Sequence, residues 1–513
     1  MPDNVRITLL PLDHEITVQR GTPLRDVLFP YGVEFPCGGN AICEGCKIKV
    51  VSGSLPLTEE QENMLSRKEA KEGWRLACRC KADEDITLEL AQWEAKILSD
   101  ESRFEFAPRE GFGIAIDLGT TTLAAQLLDL KNGNVLAVET GLNDQGRFGA
   151  DVMSRVFFAV TENGQPALES AIRQQLGGVV EKLITSSKVD ARRVLDVVIV
   201  GNTVMHHLFS GLDVAPLSQY PFESPTIGLQ SFEPSQLGWN AIPNATVRFL
   251  PCLGSFVGSD ILAGIVATNV HKSESLVGLI DLGTNGEIVI GNRDKLLFCS
   301  TAAGPAFEGS CISMGMRATT GAIVQVIGAN GSFSCRVLGN VEPRGICGSG
   351  LVDAVAVGLS TQRIREDGKV LDEKGVFSLC PPVQLTQGDI RELQVAKAAI
   401  AAGVQILAKD LGATVGDISK IYLAGAFGNY IDRVNAFRIG LLPVPPEKIQ
   451  PAGNTALLGA KLALFQADPE IHRSIKNLGK HVALNLDEQF QEIFIGEMGF
   501  PELPSASPPA PTG

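Results

Sequence analysis

The segments GIAIDLGTTTLAAQLLDL (residues 113–130) and GLIDLGTNGEIVIG (278–291) follow one pattern. In each, an apolar strand ends in an aspartate, a glycine turn carries hydroxyl or amide side chains, and a second apolar strand follows. Self-similarity at this spacing implies two related halves facing one another, which narrows the possible folds sharply. The turn also has a chemical use. Its N–H groups and threonine hydroxyls surround phosphate oxygens, and the aspartate at the strand end is placed for magnesium or its waters. Either copy alone is compatible with an ordinary tight turn, since Asp-x-Gly-Thr makes those as well. A third element, IYLAGAFGNYID (421–432), adds an apolar strand followed by Gly425 and Gly428, which open a helix onto a ligand.

Together the three elements resemble the phosphate 1, phosphate 2 and adenosine motifs of the superfamily that holds actin, sugar kinases and heat-shock ATPases. The resemblance runs from residue 113 to about 465 and includes GNTALLGA (453–460), similar to the helix-packing motif near the end of that fold. It implies two RNase H-like halves closing over ATP and Mg2+. In that assignment Asp117, Gly119, Thr120 and Thr121 hold one side of the phosphates, and Asp281, Gly283, Thr284, Asn285, Gly286 and Glu287 hold the other. Asp281 and Glu287, with Asp117, are the catalytic candidates for positioning magnesium or the attacking water. Gly425, Ala426, Phe427 and Gly428 line the adenosine side.

Further glycine-rich pieces lie between these motifs. Gly304 and Gly345–Gly350 are candidates for nucleotide or hinge contacts, with tight packing an equal alternative. Gly201 and Asn202 end a strand, as at a ligand-facing loop. His206 and His207 begin an apolar helical run with no further His or Cys at ligand spacing, so they read as core or capping histidines. Asp151 and Arg155, at i and i+4, read as an ordinary helix-face pair or an interdomain latch.

Five of the eleven cysteines fall between positions 37 and 80. Cys37, Cys43 and Cys46 give C-x5-C-x2-C in a loop rich in glycine, which lets the backbone wrap an inorganic core and aim N–H groups at its sulfurs. Either Cys78 or Cys80 of GWRLACRC completes a set of four. Around them the sequence alternates as strands would in VRITLLP, EITVQ, CKIKVVSG and DITLEL. Thr22 is expected to cap a short helix starting at Pro23, and Thr58 to open a helical stretch as a capping-box residue facing Gln61. The pattern resembles plant-type ferredoxins with one extra residue in the first gap, which implies a [2Fe-2S] cluster, and RLAC favours Cys78 as its fourth ligand. Tetrahedral zinc is the competing reading of four cysteines.

At 513 residues the chain is expected to form several domains. Its formal charge of −14 disfavours nucleic acid and anionic membrane surfaces as partners, because both repel it. No apolar run reaches about 18 residues and the N-terminus lacks a signal-peptide pattern, so a soluble cytoplasmic protein is expected. The remaining cysteines (Cys252, Cys299, Cys311, Cys335, Cys347, Cys380) read as small buried hydrophobes in a reducing compartment.

The expected fold is α/β and α+β multidomain: a β-grasp ferredoxin-like domain (1–92), a linker (93–112), the two halves of an actin-like ATPase module (113–275 and 276–500) and a disordered tail (501–513). This order resembles the reductive activators of corrinoid proteins, whose cluster ligands match Cys37, Cys43, Cys46 and Cys78 and whose nucleotide motifs match DLGTTT, DLGTNGE and LAGAFG. The resemblance implies an ATP-dependent enzyme that reduces Co(II) to Co(I) in the corrinoid protein of a methyltransferase system. An electron donor and a homodimer are implied as partners. Plant-type [2Fe-2S] centres lie near about −400 mV, above the potential expected for the cobalt couple, so ATP must offset an uphill transfer. Two other readings are a redox-regulated small-molecule kinase and a nucleotide-sensing electron-transfer partner of a non-corrinoid enzyme. Against the latter, dehydratase activators use paired cysteines in the ATPase module, and no cysteine follows Cys380.

Overall fold

A computed structural model of the chain describes residues 4–10, 14–28, 31, 33, 46–90, 107–149, 151–220, 222–283, 285–301, 303–309, 311–316, 318, 321–329, 332–338, 341–428, 431–466 and 470–502. The chain falls into two compact units, residues 1–300 with 417–430 and 450–483, and residues 301–416 with 431–449 and 484–513. Most of the linker and of the C-terminal tail lies outside the described residues.

At the start of the first unit, β1 (Asn4–Leu10) points Val5, Ile7 and Leu9 inward and pairs antiparallel with β2 (His14–Gln19), as the alternating sequence predicts. Thr22 and Pro23 do not start a helix. They pair with Lys81 and Ala82, the Thr22 hydroxyl turns back to the Gln19 carbonyl, and helix α1 covers only Leu24–Leu28. After β3 (Lys47–Ser52) come two short helices, α2 (Glu59–Met64) and α3 (Arg67–Lys71). Ser66 separates them: its hydroxyl accepts from the Glu69 N–H while the Glu69 carboxylate accepts from the Ser66 N–H, so a fresh capping box begins there. Thr58 caps α2 as expected, but Gln61 turns into the core and its amide oxygen accepts the Leu76 N–H at 2.8 Å. With β4 (Trp74–Leu76) and β5 (Ile86–Leu90), the sheet order is β2-β1-β5-β3-β4, and β1 and β5 run parallel.

The chain then forms β6 (Phe112–Leu118), β7 (Thr122–Asp129), β8 (Val135–Leu142), helices α4 (Val152–Thr161) and α5 (Gln165–Ser187), β9 (Val194–Gly201), α6 (Thr203–Ser210), β10 (Gln230–Phe232), β11 (Thr246–Phe249) and α7 (Ser259–Thr268). α5 buries Leu168, Ile172, Leu176, Val180 and Leu183, a stripe at helical spacing. Next come β12 (Val277–Leu282), β13 (Gly286–Gly291) and β14 (Leu296–Thr301). The second unit interrupts with β15 (Ala322–Ala329), β16 (Ser332–Val337), α8 (Gly348–Ser360) and α9 (Gln387–Asp410). The first unit resumes with β17 (Lys420–Ala424), β18 (Ile449–Gly453), α10 (Thr455–Phe465) and β19 (Gly479–His481).

Two six-stranded sheets of the first unit share a five-strand core and carry their sixth strand on opposite edges. Their orders are β8-β7-β6-β9-β11-β10 and β18-β17-β12-β13-β14-β19. In both, a hairpin leads from the central strand, and a later strand returns parallel on its other side: β9 beside β6, and β17 beside β12. The motif repeat is thus a repeat of structure. Helices α7 and α10 touch through glycine, since a Cβ at Gly459 would collide with the Ala263 carbonyl.

In the second unit, Thr386 and Asp389 cap the long helix α9, and the Asp389 carboxylate also accepts the Ser313 N–H and hydroxyl at 2.7 Å each. Lys397 on α9 is fully buried, with Nζ donating to the Gly499 carbonyl at 2.5 Å and lying 5.7 Å from the Phe500 ring centre. The expectation that all six later cysteines are small buried hydrophobes fails for three of them. Cys252, Cys299 and Cys347 are buried, Cys311 is half-buried, and Cys335 on β16 is joined to Cys380 as a disulfide, with Cα atoms 6.4 Å apart. The partners are 45 residues apart in sequence, so no local spacing signals the pair. Among the described residues no helix is long and apolar enough to cross a membrane.

Candidate functional site

Cys37 and Cys43 lie outside the described residues. The β3–β4 pairing brings Cys46 beside Ala77, the residue before Cys78. Lys47 sits opposite Leu76, and the next residues outward are joined by the Ala77 N–H donating to the Cys46 carbonyl at 2.9 Å. Cys78 follows in a single helical turn, Ala77–Arg79, and stays partly open. Cys80 is placed differently. It is buried in the hydrophobic core, its Sγ donates to the Leu76 carbonyl at 3.3 Å, and the Gln61 amide reaches the sulfur at 3.9 Å. Burial, and secondarily the neighbouring Cys78, push the Cys80 thiol up to about 12. Cys46 is buried in the same core, so burial alone does not separate Cys80 from the other cysteines.

The first aspartate hairpin pairs Asp117 with Ala124 and Leu118 with Leu123, leaving Gly119, Thr120 and Thr121 as its turn. Asn454, the N-cap of α10, donates from Nδ2 to Asp117 Oδ2 at 2.8 Å. The second hairpin pairs Asp281 with Glu287 and Leu282 with Gly286, and its turn is closed by the Gly283 N–H donating to the Asn285 carbonyl at 3.0 Å. Thr284 lies outside the described residues. Gly425, Ala426, Phe427 and Gly428 form one helical turn directly after β17. Gly425 has φ +87°, and a Cβ there would strike Asp281 Oδ1 and the Leu282 carbonyl. Only glycine lets that turn close against the second hairpin. Gly304 belongs to the second unit, with φ +74° and open space where a side chain would stand.

The hairpin tips create an electrostatic problem. Asp117 is pushed up to about 6 by burial, against the lowering effect of Asn454. Asp281 is pushed up to about 7 by burial and then by Asp117. Glu287 stands well above the usual carboxylate range through burial, Asp260 and Asp281, although the Ser300 hydroxyl donates to it at 3.1 Å. Asp260, at the start of α7, is pushed up to about 7 by burial and by Asp281 and Asp117. Burial raises all four, and Asp117, Asp281 and Asp260 add to it at their neighbours, a strain that a cation or bound protons would relieve. Among the described residues no three of them form a ready-made chelate. This suits an ion such as Mg2+, which keeps waters and takes one or two carboxylates alongside phosphate oxygens.

Comparison with known proteins accounts for the two parts. Residues 7–83 match the 2Fe-2S iron-sulfur cluster binding domain, 112–273 the RACo middle region, and 275–509 the C-terminal domain of RACo, the ASKHA domain. The corrinoid activation enzyme RamQ of Eubacterium limosum is 36% identical over 415 residues, covering 75% of this chain and 69% of the relative. The chain belongs to the RACo family. A second relative, the [Co(II) methylated amine-specific corrinoid protein] reductase of Methanosarcina barkeri, is 28% identical over 426 residues, covering 76% of this chain and 77% of that protein. The solved structure of a reductive activator for corrinoid, iron-sulfur protein superposes with a TM-score of 0.67 at 25% identity, covering 97% of this chain and 98% of that one.

Within this RACo-family chain, sequence reasoning missed Asp260 and Asn454. Asp260 follows Ser259, whose hydroxyl bridges the Gly201 backbone at 3.1 Å and so fixes the start of α7 beside the end of β9. The only signal was an acidic residue opening a helix in GSDILAG. Asn454 stood in a segment read for helix packing alone. His206 and His207 are core histidines as expected: His206 Nε2 lies 3.0 Å from the Gly228 carbonyl, His207 contacts Thr203 and Ser224 at 2.7 Å each, and burial holds both below their usual range. Arg155 does not form the expected helix-face pair with Asp151. Asp151 instead caps α4, accepting the Ser154 N–H at 2.9 Å, and Arg155 is buried.

Proposed function

We propose that this chain is an ATP-dependent reductive activator that delivers one electron to an inactive Co(II) corrinoid protein and returns it to Co(I), restoring methyl transfer. The observation carrying this reading is the union, in one RACo-family chain, of a 2Fe-2S cluster binding domain with an ASKHA domain. Cys37, Cys43, Cys46 and Cys78 are the ligands in this reading. The pairing of Cys46 with Ala77, next to Cys78, supports it, as do the hydrogen bonds that engage the Cys80 sulfur with Leu76 and Gln61. When bound, the cluster supplies single electrons at low potential, about −400 mV for the plant type.

The remaining residues handle the nucleotide. The Gly119–Thr121 turn and the second hairpin turn, apart from the Gly283 N–H that the Asn285 carbonyl already takes, would offer N–H groups to phosphates, and Asp117 and Asp281 would hold Mg2+ or its waters. Asn454 orients Asp117, while Glu287, raised by burial and by its neighbours Asp260 and Asp281, is suited to hold or move a proton at the attacking water. Gly425–Gly428 receives the adenosine side. Each 100 mV of uphill transfer costs about 2.3 kcal/mol per electron, and nucleotide binding offsets it by favouring the complex in which the corrinoid is easier to reduce. The reading includes a separate electron donor, a homodimeric working unit and a cytoplasmic setting. Mixing the reduced, cluster-loaded protein anaerobically with a Co(II) corrinoid protein, with and without ATP, tests it. The Co(I) absorption band should grow only with ATP, and equal growth in both samples would sink the coupling.

A further inference from the structure

The first phosphate turn is held from behind by residues that the nucleotide assignment does not use. Its three consecutive carbonyls each accept a hydrogen bond from the segment 143–155. Asn143 Nδ2 donates to Gly119 O at 2.9 Å, Arg155 Nη2 to Thr120 O at 2.6 Å, and the Asn143 N–H to Thr121 O at 2.9 Å. On the other side, Asn202 Nδ2 donates to Thr120 Oγ1 at 2.8 Å. A peptide unit is planar, so fixing a carbonyl fixes the N–H on its opposite edge. Pinning the carbonyls of residues 119–121 therefore orients the N–H groups of Thr120, Thr121 and Thr122, the groups that face phosphate in such a turn.

Arg155 is an expensive way to do this. It is 1% exposed, and its guanidinium meets neutral partners: the Gly149 carbonyl at 2.9 Å, Gln145 Oε1 at 3.2 Å and Met205 Sδ at 3.6 Å, besides Thr120. Among the described residues it has no ion pair within 4 Å: the Asp151 carboxylate caps α4 and favours the Arg155 charge only from a distance, against the effect of burial. Burying a cation without direct contact to a carboxylate is costly. What the guanidinium adds is a rigid fork of donors spanning several acceptors at once. Gln145 is itself buried and anchored through Nε2 to the Leu168 carbonyl at 2.9 Å, so the fork is braced against α5.

We propose that Arg155, seconded by Asn143, is the positioning residue for phosphate recognition: it holds the Gly119–Thr121 turn in the shape that receives the nucleotide's phosphates. The proposal rests on the nucleotide reading given above. Losing one charge-assisted hydrogen bond at this point should weaken binding about ten- to a hundredfold. The test uses cluster-loaded wild type, Arg155→Gln and Arg155→Lys, with Asn143→Ala as the second variant in case Arg155→Gln does not fold. Affinities for ATP, ADP and adenosine are measured by calorimetric titration, and KM and kcat for ATP hydrolysis alongside. Expected are a rise in the KM for ATP larger than the fall in kcat, weaker ATP and ADP binding with adenosine unchanged, and an intermediate value for Arg155→Lys. A folded variant that binds ATP as wild type does, or loses ATP and adenosine equally, overturns the proposal. Wild type that binds no ATP overturns the underlying nucleotide reading instead, which keeps the two failures distinct.

Discussion

Exchanging the roles of Cys78 and Cys80 is the sharpest perturbation of the proposed electron site. The two cysteines are separated by one residue, yet Cys80 has 5% exposure, an acceptor in the Leu76 carbonyl and a donor in the Gln61 amide, whereas Cys78 is partly open. Cys80→Ala removes one buried sulfur and a weak hydrogen bond and leaves the Leu76 carbonyl without its second donor. A small core truncation together with a lost bond of this kind costs about 1–2 kcal/mol. For a chain of this size, unfolding with about 2.1 cal/mol/K of entropy per residue, that is a fall in melting temperature of about 1–2 °C. The cluster should survive.

Cys78→Ala should do the reverse, with a modest direct effect on the core and loss of the cluster. Anaerobic reconstitution followed by iron and sulfide determination, the visible spectrum and the electron paramagnetic resonance signal of the reduced protein separate the cases. Cys80→Ala should keep iron and sulfide at the wild-type ratio with a lowered melting temperature. Cys78→Ala should be pale and depleted of both. A colourless Cys80→Ala beside a normally loaded Cys78→Ala refutes the argument that a buried, hydrogen-bonded thiol is withheld from ligation. Zinc in place of iron and sulfide in wild type would refute the cluster itself.

Asp281→Ala should abolish ATP hydrolysis and leave the cluster spectrum intact, since the two sites draw on different residues; unchanged turnover would remove Asp281 from the mechanism. Asn454→Ala takes from Asp117 the bond that lowers its proton affinity, so the acidic limb of the ATPase pH profile should move to higher pH and the rate at pH 7 should fall several-fold, about tenfold at most for one neutral hydrogen bond; a limb that stays or moves to lower pH contradicts this. Lys397 is held by burial at about 8 against an ordinary 10.5, so between those values the unfolded chain binds the proton that the folded chain has shed, and stability rises with pH across that window by up to about 3 kcal/mol. Lys397→Met should lack the rise, which chemical denaturation of both proteins at pH 7 and pH 10 would read; parallel pH slopes would show that Lys397 titrates normally.

The turns were legible because they are local. Asp-Leu-Gly-Thr places an aspartate, a sharp reversal and hydroxyl groups within four residues, so Asp117 and Asp281 could be read without knowing what lay around them. The strand alternation of Val5, Ile7 and Leu9 was local too, and so was the cap at Thr58. The errors came where a distant acceptor outcompeted the local one. Gln61 is three residues from Thr58 but serves the Leu76 N–H, and Thr22 serves a strand edge instead of a helix. Cys335 and Cys380 meet through a pairing that no spacing rule encodes.

The same distinction explains why the positioning residues escaped notice. Arg155 sits four residues after Asp151, and on an exposed helix that spacing means an ion pair. Which face of α4 turns inward is decided by the sheet behind it, where Val152, Val156 and Ala159 are buried with Arg155. Asn454 and Asp260 are similar: each opens a helix, a position where Asn and Asp are common for reasons of capping alone, and each acquires a second partner only after the two sheets are assembled. A ligand-binding turn can be recognised from its own residues, but the donors that hold it still come from elsewhere in the chain. In this protein those donors sit at helix starts or one turn inside them, because there a polar side chain can satisfy the helix or the site it faces. Helix N-termini facing a recognised phosphate turn are therefore where further positioning groups should be sought in related chains.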